Sequence, residues 1–117
     1  MPTFDLPWPP SVNTYWRKWK NRMVISGEGR AFRASTLELM YFQCVIKELT
    51  GRLAVTIDAY PPDKRVRDLD NILKSLLDAM QHAGLYKDDS QIDRLTIERR
   101  EIEKPGKVRV NVREIEV

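Results

Sequence analysis

The hydrophobic pattern changes period sharply within residues 53–83, and that change constrains the fold more than any other feature. Leu53, Val55, Ile57 and Ala59 alternate with Ala54, Thr56, Asp58 and Tyr60, the spacing of a strand with one buried face. Pro61-Pro62-Asp63 ends it, because proline cannot donate to a ladder and presets a turn. From about Leu69 to Ala83 the apolar residues Ile72, Leu73, Leu76, Leu77 and Met80 recur at helical spacing, and Gly84 supplies the stop. A one-faced strand followed by a one-striped helix requires a layered fold in which each buries the other.

The rest of the chain supplies the other pieces. Thr3-Phe4-Asp5-Leu6 reads as a short strand stopped by Pro7-Trp8-Pro9-Pro10. Ser11 to about Ser26 has no strong period and is expected to be a long loop. From about Gly29 to Leu49 the pattern is helical. Leu39, Phe42, Ile46 and Leu49 form its stripe, Leu37, Tyr41, Cys44 and Val45 widen it, and Gly51 is expected just past its end. The arc is wider than one sheet face needs, which makes it either a dimer surface or a deeply buried helix. Ile92 to Ile102 and Val108 to Ile115 read as strands, with Pro105-Gly106 between them as a hairpin signal. The order β-α-β-α-β-β predicts an α/β (α+β) fold, one mixed sheet of about four strands with two helices on one face.

Length and composition narrow the function classes. A chain of 117 residues is one domain, 1–117, and its 42% hydrophobic content supports a real core. One cysteine and one histidine exclude a disulfide framework, a Cys-based zinc site and a His-rich metal site. Cys44 lies on an apolar stripe as a small core residue, and His82 near a helix end. The net charge of +3 is only mildly basic, so any polyanion binding must come from how charge is placed. No apolar run approaches about 18 residues, and the start of the chain lacks the basic and apolar segments of a signal peptide. A soluble cytoplasmic protein without a membrane span is expected.

Charge placement is informative in two stretches. In Arg65-Val66-Arg67-Asp68-Leu69-Asp70-Asn71, two carboxylates sit two residues apart where a loop hands over to a helix. Lys74 shares the helix face of Asp70, and Asp88-Asp89 brings further carboxylates before the next strand. Such acids most often cap helices and line solvated turns. Flanked by Arg65, Arg67 and Lys74, they also suit a hard divalent cation acting on a phosphodiester. The second stretch, Tyr15-Trp16-Arg17-Lys18-Trp19-Lys20-Asn21-Arg22, interleaves aromatics with cations. Arg17, Lys18, Lys20 and Arg22 are the candidate phosphate contacts, with Arg65 and Arg67 beside the acids.

Three blocks together carry a resemblance: Leu6-Pro7-Trp8-Pro9-Pro10-Ser11-Val12-Asn13; Pro62-Asp63-Lys64-Arg65-Val66-Arg67-Asp68-Leu69-Asp70-Asn71 with Lys74; and Ala83-Gly84-Leu85-Tyr86-Lys87-Asp88-Asp89-Ser90-Gln91. In order and spacing they resemble the RusA family of Holliday junction resolvases. The resemblance implies a homodimeric, Mg²⁺-dependent endodeoxyribonuclease that cuts four-way DNA junctions by paired, symmetric phosphodiester cleavage. It assigns metal-ligating carboxylates to Asp68, Asp70 and Asp89 and an essential lysine to Lys74, leaving Asp88 undecided. The three acids are expected to converge in the fold around a shared magnesium pocket. The alternative is a non-catalytic nucleic-acid-binding domain of the same fold, which would keep the basic segment and need no metal.

Overall fold

The computed structural model describes residues 3–43, 45 and 47–116. The elements run β1 (Thr3–Pro7), α1 (Val12–Tyr15), β2 (Trp16–Trp19), β3 (Arg22–Ile25), α2 (Gly27–Phe42), β4 (Leu53–Tyr60), α3 (Asp70–His82), a single 3₁₀ turn (Asp89–Gln91), β5 (Ile92–Arg99) and β6 (Lys107–Glu114). The main sheet has the order β1-β6-β4-β5, and β2 and β3 form a separate ribbon. The expected mixed four-stranded sheet is present, with the alternating residues of its strands divided between a buried and an open face.

On the buried face lie Phe4 and Leu6 of β1, Val108, Val110 and Val112 of β6, and Leu53, Val55, Ile57 and Ala59 of β4. Phe32 and Met40 of α2 and Ile72, Leu76, Ala79 and Met80 of α3 complete this core. Each Val, Leu, Ile, Phe or Met side chain among these contributes roughly 1.5–3 kcal/mol on burial. Exposed ion pairs such as Asp5–Arg109 (2.8 Å), on the open face, contribute no more than about 1 kcal/mol each. Apolar burial therefore holds the layers together. No helix among the described residues is long and apolar enough to cross a membrane.

Three expectations need correction. The stretch from Ser11 to Ser26 is a short helix and a hairpin rather than a loop. Trp19 pairs with Arg22 across a two-residue turn, Lys20-Asn21, with φ of 48° and 62°, the left-handed pattern of a tight hairpin. An alternating aromatic and basic sequence without a Gly in the turn hides such a hairpin. The helix expected from Gly29 to Leu49 stops at Phe42, so Gly51 does not end it. Leu49 instead bridges to Tyr86 beside the next strand, and Cys44 and Ile46 lie outside the described residues. Finally, Pro105-Gly106 does not close a β5–β6 hairpin. β4 lies between those strands, parallel to β5 and antiparallel to β6.

Two helix ends show how sequence fixes the layers. At the end of α3, Gly84 takes φ +89°. The amides of Gly84 and Leu85 donate to Gln81 O (3.0 Å) and Met80 O (3.1 Å), a Schellman closure. At the start of α2, Ser26 Oγ accepts from Gly29 N at 2.9 Å. A Cβ on Gly29 would stand 2.5 Å from Tyr15 O and 2.7 Å from Ile25 Cγ1. Gly29→Ala should therefore destabilise the fold by about 1–3 kcal/mol, read as a lower urea midpoint. An unchanged midpoint would mean that hairpin and helix are not pressed together there.

Candidate active site and nucleic-acid interface

The loop between β4 and α3 is held from three sides. Asp63 Oδ1 accepts from Arg65 N (2.9 Å) and Arg67 Nη1 (2.6 Å). Arg99 of β5 donates to Arg67 O at 2.8 Å, and Glu103 N donates to Pro61 O at 2.9 Å. The Arg67 guanidinium also lies 5.9 Å from the Trp8 ring centroid. Arg67 is thus largely committed to shaping the loop, whereas the Arg65 side chain is 83% exposed. The loop forms one wall of a cleft of about 460 Å³ opposite Trp8, Pro9, Pro10, Ser11 and Thr14, and Asp68 lines it.

Asp68 does not cap the helix. The N-cap residue is Leu69, with no side-chain cap hydrogen bond, and Asp70 is the first helical residue. A negative charge in that first turn is favoured by the exposed amides of the helix. Lys74 is exposed one turn further on. Among the described residues, the side chains of Asp68, Asp70, Lys74 and Asp89 take part in no hydrogen bond or ion pair with a donor or acceptor of opposite charge.

That separates these acids from the other aspartates, which are all engaged. Asp5 pairs with Arg109, Asp58 with Arg100, Asp63 with Arg67 and Asp93 with Arg52. Asp78 accepts from Arg33 Nη2 at 2.8 Å and from the Tyr15 hydroxyl. Burial, reinforced by Asp78, pushes the Tyr15 phenol far above its ordinary value. Asp88 accepts from Ser90 N at 3.0 Å, while Gln91 Oε1 accepts from Asp88 N at 3.1 Å. This reciprocal capping box holds the Asp88 carboxyl below the usual carboxylate range, mainly through the Ser90 amide.

Asp89 stands at the other end of the site's framework. Its amide donates to Gln81 Oε1, 3.0 Å away, near the C-terminal end of α3. The helix from Asp70 to His82 has 13 residues, which separates its ends by roughly 18 Å. Parallel pairing of β4 with β5 requires this. Asp68 and Asp70 follow the C-terminal end of β4, and Asp89 precedes the N-terminal end of β5, where Ile92 pairs with Leu53. The expected convergence of the three acids is therefore absent within one chain. Among the described residues, no three His, Cys, Asp or Glu side chains are grouped to hold a metal.

The basic segment is the β2–β3 hairpin, on which Arg17, Lys18, Lys20 and Arg22 are all exposed and, among the described residues, free of ion pairs. Sequence reasoning missed the positioning roles of Asp63, Gln81 and Gln91. The D-x-x-Q spacing of Asp88 and Gln91 was a readable capping signal; nothing in the pattern marks Asp63 or Gln81.

The sequence that builds this fold matches a known class over nearly its whole length. The family profile described as Endodeoxyribonuclease RusA covers residues 7–113. A crossover junction endodeoxyribonuclease of Enterobacteria phage HK97 is 38% identical over 113 residues, 97% of this chain and 94% of that relative. The protein of the same name from Escherichia coli K12 is 33% identical over the same shares. That of Enterobacteria phage 82 is 34% identical over 94% of this chain and 92% of its own. The chain belongs to the RusA family of endodeoxyribonucleases.

The Asp63 pairing carries a pH signature. Arg67 and the Arg65 amide hold its carboxyl down to about 2, below the ordinary 3.8. Ionised Asp63 thus favours the folded loop fully above about pH 4, and this contribution fades as the pH falls toward 2. Trp8 fluorescence, which senses Arg67, should change over that acidic window, and Asp63→Asn should give the acid-state signal at neutral pH. A Trp8 signal that is flat in both experiments would mean that Asp63 does not hold the loop.

Proposed function

We propose that this chain resolves four-way DNA junctions in recombination and repair as an Mg²⁺-dependent homodimer, cutting two strands symmetrically. The observation that carries this reading is the contrast in commitment: Asp68, Asp70 and Asp89 are left free in a chain that engages its other aspartates. Free carboxylates on the surface of a basic protein suit a hard cation that takes oxygen ligands and keeps several waters. Asp68, Asp70 and Asp89 would hold Mg²⁺, which supplies charge neutralisation at the scissile phosphate and a more acidic water. Lys74, one turn from Asp70, is suited to hold the phosphate or to balance charge growing on it. Arg65 and the hairpin cations Arg17, Lys18, Lys20 and Arg22 suit flanking phosphates, and Arg67 acts chiefly by fixing the loop that carries Asp68.

The separation of Asp89 from the other two acids is the reason to invoke a second copy. β5 is an edge strand with a free hydrogen-bonding side, and Leu95 on it is 41% exposed. Antiparallel pairing of two β5 strands about a two-fold axis at Thr96 would oppose Leu95 to Ile97 and Arg94 to Glu98. The N-terminal end of one β5, with Asp89, would then run toward the C-terminal end of the other, where Arg99 holds the Arg67-Asp68 loop. Each site would draw Asp68, Asp70 and Lys74 from one copy and Asp89 from the other. The exposed apolar residues of α2, Leu37, Tyr41 and Phe42, give a second possible contact surface, but α2 packs over β1, away from β5.

A mobile synthetic four-way junction tests the reaction. The wild-type chain should cut it with Mg²⁺ and only bind it in EDTA. Asp70→Asn should lower cleavage by about a hundredfold or more and leave binding intact. Equal loss of binding and cutting would assign Asp70 a structural role and remove the nuclease mechanism.

A further inference from the structure

The β2–β3 hairpin stands outside the main sheet, and its base is fixed more firmly than a phosphate-binding arm requires. Ser26 N donates to Tyr15 O at 2.9 Å, and Ser26 Oγ donates to Thr14 O at 2.6 Å. Tyr15 is itself held by Arg33 Nε at 2.9 Å and by Asp78. The turn leaves little freedom, with both central residues left-handed. Four-residue strands carry this turn roughly 13 Å from the base.

The side chains near the tip are not those of a simple electrostatic arm. Trp19 is 41% exposed and Met23 62% exposed, a contact with water that is unfavourable by about 25 cal/mol per Å² of apolar surface. Lys20 Nζ lies 4.4 Å and the Arg22 guanidinium 6.0 Å from the Trp19 ring centroid. These contacts keep the indole among the cations at the tip and away from the core. Phosphate neutralisation needs only the cations. An exposed indole held among them fits a ligand that offers a flat apolar face beside phosphates, which is an unstacked nucleobase.

A linear duplex offers no such face along its length, because every base is stacked on both sides. At the centre of a four-way junction, the pairs flanking the branch expose one. We infer that Trp19 stacks on a base at the branch point, so that the hairpin distinguishes a junction from a linear duplex. This rests on the junction reading above. The hairpin cations bind backbone in either DNA, whereas Trp19 finds its partner only where the stack is interrupted.

The test is a titration of the full chain in EDTA with a four-way junction and with a linear duplex of the same sequence. Affinity and intrinsic tryptophan fluorescence are read together. The junction should quench the wild-type fluorescence and the duplex should not. Trp19→Phe should keep junction affinity but lose the quench. Trp19→Ala should weaken junction binding about tenfold and change duplex binding by less than about twofold. For Trp19→Ala, equal loss on both DNAs or unchanged junction affinity overturns the assignment, as does a quench that survives Trp19→Phe. A wild-type chain with no preference for the junction would instead remove the junction reading itself, and this inference with it.

Discussion

The parallel pairing of β4 with β5 is the constraint on which the rest depends. A strand, a helix and a second strand laid parallel to the first return the chain to where it started. Whatever follows β4 and whatever precedes β5 therefore sit at opposite ends of the sheet. Asp68 and Asp70 follow β4, and Asp89 precedes β5. No rotamer change bridges a gap of helix length, so the geometry of the carboxylates becomes a question about assembly. The free edge of β5, with Leu95 exposed on it, lies along the gap.

A second regularity is how the chain distributes its charges. Committed pairs do structural work: Asp63 with Arg67 shapes the cleft loop, and Asp78 with Arg33 and Tyr15 ties α1, α2 and α3 together beneath the hairpin. The uncommitted charges include Asp68, Asp70 and Asp89 and the exposed hairpin cations Arg17, Lys18, Lys20 and Arg22. The chain is nearly balanced in total at +3, so the separation of engaged from free groups gives the surface its character, consistent with membership in an endodeoxyribonuclease family.

Much of the fold was legible because its periods were clean. The valines of β6 and the alternation of β4 could only be strands with one buried face, and the stripe from Ile72 to Met80 could only be a helix. The hairpin was not legible, since Lys20-Asn21 lacks the glycine that usually announces such a turn. Sheet order was not legible either. Insertion of β4 between β5 and β6 is set by tertiary burial, while Pro105-Gly106 makes a local turn that fits either arrangement. At the site, residue types and spacing pointed to Asp68, Asp70 and the Asp88-Asp89 pair, and the family resemblance chose Asp89 from that pair, but spacing carries no information about which end of a sheet a residue occupies. Asp88 and Asp89 are adjacent and chemically identical, and only the capping box separates the engaged one from the free one.

The central claim is that one site takes acids from two copies of the chain, and mixing two inactive variants tests it most directly. Asp70→Asn and Asp89→Asn chains, each inactive alone, are denatured together, refolded and assayed on a four-way junction with Mg²⁺. In a mixed dimer, the Asp89→Asn copy supplies Asp68 and Asp70, the Asp70→Asn copy supplies Asp89, and one site is whole. The account predicts that cleavage of one strand returns in the mixture. A mixture as inactive as its components, with mixed dimers demonstrated by mass, would contradict it.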